Sequence, residues 1–142
     1  MYVHGRDKYF WPLIVFNPAA LWHLNIDQET LFQDVIKACI LVTEYVIKNC
    51  LLPGIIENWV AIMNVDKLSV WDLDRKLLKK LLNCLMDNYR CRSWRTYVVN
   101  STMGIKMFYT VIKTFLKETT TRKFLLTDKN TCEEIIDLFH PS

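Results

Sequence analysis

The side chains that could do covalent chemistry are few and poorly spaced for it. Cys84 and Arg90 stand at the Cys-x5-Arg spacing of cysteine phosphatases. That chemistry needs a thiolate in a loop whose backbone N–H groups cradle phosphate. Both residues fall instead in a leucine-rich segment of helical periodicity that contains no glycine. His4, His23 and His140 are isolated, with no partner at ligand or catalytic spacing. No serine occupies a G-x-S-x-G turn. Three glycines in the whole chain leave no room for a phosphate-cradling loop after a strand. The five cysteines, Cys39, Cys50, Cys84, Cys91 and Cys132, are odd in number and form no CxxC pair. That argues against disulfides and structural zinc and fits a reducing compartment. The expectation is a cytoplasmic protein that is not an enzyme, with no metal site and no cofactor beyond a bound ligand.

Binding chemistry has better candidates. Thr119, Thr120, Thr121, Arg122 and Lys123 cluster hydroxyls and cations between a helical segment and a strand. This is either a polar turn or a site for an anionic headgroup, where such donors converge on phosphate. The helical segment before it, Gly104–Lys117, carries Ile105, Phe108, Val111, Ile112, Phe115 and Leu116 on one side. Met107 and Tyr109 widen that arc, and Lys106, Lys113 and Lys117 add cations. Such a helix can pack on a sheet, and it can also lie on a membrane or cover a lipid. Asn100-Ser101-Thr102 is a glycosylation sequon, read here as a chance occurrence at a strand end.

These segments need a scaffold. At 142 residues the chain suits one domain, expected here as a fragment of a longer protein. The hydrophobic share, 51%, is high for a soluble domain, and the surplus must fill a core, an interface or a ligand cavity. The net charge is only +3, with both signs mixed along the chain. That excludes the dense basic stripe of a nucleic-acid binder and permits mild attraction to an anionic membrane. Met1 leads directly into Arg6, Asp7 and Lys8, so no cleavable signal is read. The longest apolar candidate, Ala38–Ile47, is interrupted by Glu44 and falls short of the roughly 20 residues of a membrane span.

Short β-type runs alternate with longer helical ones. Strands are expected at Tyr2–His4, Pro12–Phe16, Trp59–Val65, Thr96–Val99 and Lys123–Thr127. Helices are expected at Gln28–Asn49, N-capped by Asp27, and at Asp72–Tyr89, Gly104–Lys117 and Thr131–Phe139. That alternation predicts βαβ units in an α/β domain with a mixed, largely parallel five-stranded sheet.

In this order the segments resemble the CRAL-TRIO family of lipid-binding and lipid-transfer domains. Gly5-Arg6-Asp7-Lys8 followed by Trp11-Pro12-Leu13-Ile14-Val15 is similar to the family's opening hairpin, with Phe10 and Trp11 in place of Gly-Arg. Ile62 through Ser69 resembles its I-x-D-x-x-G-x-S strand and loop, with Asn64 and Lys67 as departures. Leu77–Leu82 through Tyr89 resembles the helix leading into Y-P-E-R. Arg95–Asn100 resembles the Y-I-I-N strand, with Ser101-Thr102 for Ala-Pro. Phe115-Leu116 with Thr120 and Lys123 resembles K-P-F-L-x-x-x-T-x-x-K, with Thr114 for Pro. The resemblance covers nearly the whole of 1–142, without the helical segment that usually precedes it.

The resemblance implies a sheet flooring an apolar cavity, helices packed behind it, and a gate helix, Met103–Leu116, over it. It implies a lipid pocket of Ala61, Met63, Val98, Phe108, Val111, Ile112, Phe115, Phe124 and Leu126, and a headgroup held by Thr120 and Lys123. Arg122 and Arg92, with Arg90, would add phosphate donors, because Cys91 stands where the family's glutamate sits. The floor positions that carry hydroxyls for choline lipids in some members fall here at Trp59 and Ala61. The expected function is to bind one phosphoinositide or other glycerophospholipid and to exchange or present it at a transient membrane contact. The chain is expected to act as a monomer without nucleic acid. The alternative is a protein-interaction scaffold of the same fold.

Overall fold

The computed structural model describes every residue except 23–26, 73–74, 90, 130 and 140–142. The strands are β1 (Tyr2–Arg6), β2 (Pro12–Phe16), β3 (Trp59–Asn64), β4 (Ser93–Val99) and β5 (Phe124–Leu126). The helices are α1 (Ala19–Trp22), α2 (Gln28–Asn49), α3 (Arg75–Asn88), α4 (Met103–Lys113), α5 (Glu118–Thr121) and α6 (Glu133–Phe139). One sheet holds the strands in the order β1-β2-β3-β4-β5. β1 runs antiparallel to β2, and β2 through β5 are parallel. The mixed, largely parallel five-stranded sheet expected from the sequence is present.

Sequential order has a consequence. Successive parallel crossovers of the same hand lay their helices on the same face of the sheet. Val46 of α2 accordingly packs with Ile14 and Trp59, and Ile105 of α4 packs with Val98. The opposite face, with Leu13, Val60, Tyr97 and Val99, is covered by Ile135 and Leu138 of α6. Strands covered on both faces need the continuous apolar runs that this chain has at PLIVF and WVAIM.

Several element boundaries have visible causes. Asp27 caps α2 by accepting a hydrogen bond from Thr30 N at 3.0 Å. β1 runs two residues beyond His4, to Arg6. The turn after it is built on the buried Asp7, whose carboxylate accepts from Tyr9 N and Trp11 N, both at 2.9 Å. α3 is described from Arg75; Asp72, the expected start, belongs to a 3-10 turn over Val70–Asp72, and residues 73–74 lie outside the described residues. α4 ends at Lys113, four residues short of the expected Lys117: Thr114 caps it, donating from Oγ1 to Val111 O at 2.7 Å. Phe115 N and Leu116 N then bond three residues back, and Lys117 opens α5. β3 ends at Asn64, β5 covers only Phe124–Leu126, and α6 starts at Glu133.

β4 begins at Ser93, three residues before the expected Thr96, and the reason is a β-bulge. Trp59 pairs with Ser93 and Val60 with Arg95, so Trp94 is an extra residue. Trp94 packs on the α6 face, its ring 4.9 Å from Trp11. Arg95 pairs with Glu134 of α6 at 3.2 Å. The bulge therefore turns Ser93 onto the same face as Thr96, although strict alternation would set them on opposite faces.

Candidate functional site

The register decides which residues share a face. One row across the sheet is Ile14, Ala61, Thr96 and Phe124, and the next row but one is Phe16, Met63, Val98 and Leu126. Both rows look toward the crossover helices. Ala61, Met63, Val98, Phe124 and Leu126 thus form one contiguous apolar floor. Phe108 and Ile112 of α4, 7% and 4% exposed, are on the helix's buried side.

Met63, Phe124 and Leu126 pack against the buried Val65, Leu68, Val98 and Ile105 without being fully covered. Ala61, Met63, Phe124 and Leu126 are only half-buried, and so are Leu78, Leu81, Leu82, Leu85 and Met86 along α3. Leu73, within the expected helix Asp72–Tyr89, lies outside the described residues. Between α3 and α4, Lys79, Leu82, Asn83, Ile112, Phe115 and Leu116 line a cleft of about 10 Å³. That is room for about one water.

Val111 and Phe115 are set apart from the floor group. Val111 is partly exposed. Phe115 lies beyond the end of α4, half-exposed, with Lys79 Nζ 4.9 Å from its ring centre. They continue an outward apolar strip that begins with Met103 and Met107, 73% and 66% exposed. Trp71, 95% exposed, belongs to the 3-10 turn packed on the start of α4. The contact is close: a Cβ on Gly104 would sit 2.8 Å from Val70 Cγ2.

The expected headgroup residues divide. Thr120 and Lys123 are joined through the backbone, Lys123 N donating to Thr120 O at 3.0 Å. Lys123 Nζ donates to Ser93 O at 2.6 Å, which anchors it over the first residue of β4. Arg92 is next in chain to Ser93, and its guanidinium donates to Glu57 O at 3.3 Å. Arg122 turns away and pairs with Glu118 in solvent. Arg90 lies outside the described residues, as do His23 and His140.

Two hydroxyls join this corner that the sequence did not single out. Ser93 Oγ and Thr96 Oγ1 lie 3.4 Å apart. In the register Ser93 pairs with Trp59 and Thr96 with Ala61. Tyr109 of α4 closes the far side, its hydroxyl donating to Thr121 O at 3.2 Å and its ring 5.9 Å from Phe124. Burial raises the Tyr109 phenol above its ordinary pKa, so it stays a neutral donor.

The nucleophile candidates have no such surroundings. Cys84 is internal to α3, where Asn88 Nδ2 donates to its carbonyl at 2.7 Å. Burial pushes the Cys39 thiol up to about 11. Among the described residues there is no cluster of metal-ligating side chains, and no helix is long and apolar enough to cross a membrane.

Comparison with known proteins gives a consistent result. The CRAL/TRIO domain matches residues 1–142. Clavesin-1 of Rattus norvegicus and of Mus musculus are each 29% identical to the chain over 98% of it. The chain spans 38% of the length of these relatives. The crystal structure of Sfh5 superposes with a TM-score of 0.69 over 89% of this chain and 44% of that one, at 20% identity. That likeness is one of fold.

Proposed function

The chain belongs to the CRAL/TRIO domain family, whose members bind and transfer lipids, and on that premise we propose that it holds one glycerophospholipid between the sheet floor and helices α3 and α4. The observation that carries this reading is the continuous apolar floor: Ala61, Met63, Phe124 and Leu126 share one face of the sheet and stay only half-buried. Each acyl CH2 that leaves water for such a surface contributes about 0.8 kcal/mol. Loading moves α4 off the floor, where its Ile105 packs on Val98. Its cap at Thr114 and the turn that follows give it a defined end from which to swing.

Headgroup contacts come from Lys123 and Thr120, with Arg92 alongside; Arg122, paired with Glu118, contributes only by changing partner. The outward strip of Trp71, Met103 and Met107, with Lys106 and Lys113 beside it, suits a transient membrane contact at which α4 opens. Opening and closing is a population shift that the membrane biases. The chain acts in the cytoplasm as a monomer and exchanges or presents its lipid there without catalysis.

The test is native mass spectrometry with lipid extraction of the purified protein, joined to transfer between vesicles. Co-purifying phospholipid, or transfer above background, is expected; protein that neither carries nor moves lipid defeats the reading. The packing of Met63, Phe124 and Leu126 against Val98 and Ile105 favours a second reading, a protein-interaction scaffold with its pocket filled by side chains. A fold that never admits lipid from vesicles while still binding a protein partner would establish it.

A further inference from the structure

Accepting that lipid reading, we infer that Ser93 and Thr96, paired on the floor by the bulge at Trp94, select the headgroup and bind the phosphodiester of a glycerophospholipid. The bulge sets both hydroxyls on the lipid-facing side, at the edge of an otherwise apolar floor. Its position is fixed from behind by the Trp11–Trp94 contact and the Arg95–Glu134 ion pair, so the pair is a built feature of the fold. Thr96 is buried, and its neighbours in the row are Ala61 and Phe124. Small side chains at 61 and 96 make this the low point of the floor.

The hydroxyls are underused. Their separation of 3.4 Å is long for an O–H···O bond, and they have no other side-chain or backbone partner for either oxygen among the described residues. One contact can use only one of their two protons. Lys123 Nζ holds Ser93 O at 2.6 Å with one of its three protons, and no carboxylate pairs with it among the described residues. Two hydroxyl donors thus sit on the strand whose first carbonyl holds the Lys123 ammonium, with the Arg92 guanidinium one residue away at Glu57 O. Such donors suit a phosphodiester, whose two free oxygens accept hydrogen bonds and carry one negative charge.

The test loads the purified chain from vesicles holding equal parts phosphatidylinositol and diacylglycerol, whose acyl chains match but of which only the first has a phosphodiester. The readout is the ratio of the two lipids carried. The Ser93→Ala/Thr96→Val variant, which keeps side-chain volume at Thr96, should lower that ratio about tenfold, the cost of lost hydrogen bonds to a charged acceptor. Thr96→Ser, which restores a hydroxyl, should hold the parent ratio, and thermal melting confirms folding of both. An unchanged ratio overturns the assignment and leaves lipid binding standing. Inorganic phosphate added alone should not displace the lipid; displacement would assign the hydroxyls to a free anion and overturn the phosphodiester. A parent protein that takes up neither lipid overturns the lipid reading, and this inference with it.

Discussion

Replacing Met103 and Met107 with glutamine should weaken membrane association by about 30- to several hundred-fold while leaving the fold intact. The two side chains are 73% and 66% exposed, so removing them opens no cavity. Fully burying a methionine is worth about 1.5–3 kcal/mol, so burying the exposed two-thirds of each at a membrane is worth about 1–2. The pair then contributes about 2–4 kcal/mol, and each 1.4 kcal/mol is about tenfold in affinity. Glutamine has nearly the helix propensity of methionine, so α4 should persist. The assay is co-sedimentation with vesicles of mixed neutral and anionic lipid, with the melting temperature as control. Binding within twofold of the parent would refute the claim that this strip meets the membrane. A large fall in melting temperature would show instead that the methionines belong to the core.

Other expectations concern the scaffold and its titrating groups. Gly104→Val should cost about 1–3 kcal/mol, because its side chain must occupy space held by Val70 Cγ2, 2.8 Å from the first added carbon. Combining it with Val70→Ala should recover part of the loss, and a single variant that melts like the parent contradicts the close contact. Asp27 has its pKa held below the usual carboxylate range by the hydrogen bond to Thr30. Its contribution is present above the unfolded value near pH ~4 and is lost as pH falls through the depressed one. The stability gap between the parent and Asp27→Ala should therefore close in acid, and a pH-independent gap from chemical denaturation would contradict the cap. Cys91 is exposed whereas Cys39 is buried with its thiol pushed to about 11, so at neutral pH iodoacetamide should label Cys91 early and Cys39 last. Peptide mapping that found Cys39 labelled first would contradict the packing of α2.

Much of the fold was legible because local signals and tertiary packing agree. β2 and α2 have the expected boundaries, Pro12–Phe16 and Gln28–Asn49 with Asp27 as cap. The largely parallel sheet followed from the alternation of elements. Where the reading missed, side chains or register decided. Thr114 ends α4 through its own hydroxyl, although Phe115 and Leu116 keep the apolar period going. The start of β4 was hidden because a bulge breaks the period of two that marks a strand, and Ser93-Trp94-Arg95 shows no alternation. For the same reason the closeness of Ser93 and Thr96 was invisible in the sequence. Arg122 and Arg92 looked equivalent to Lys123 in sequence. Only tertiary contacts send them to Glu118 and to Glu57 O.

The central claim is that the surplus of apolar side chains in this chain surrounds a lipid. Native mass spectrometry of the protein incubated with phospholipid vesicles and re-purified tests it most directly. One phospholipid per chain, lost on denaturation, is the expected result. A spectrum with only the bare polypeptide mass, from protein whose melting temperature the vesicles leave unchanged, would contradict it.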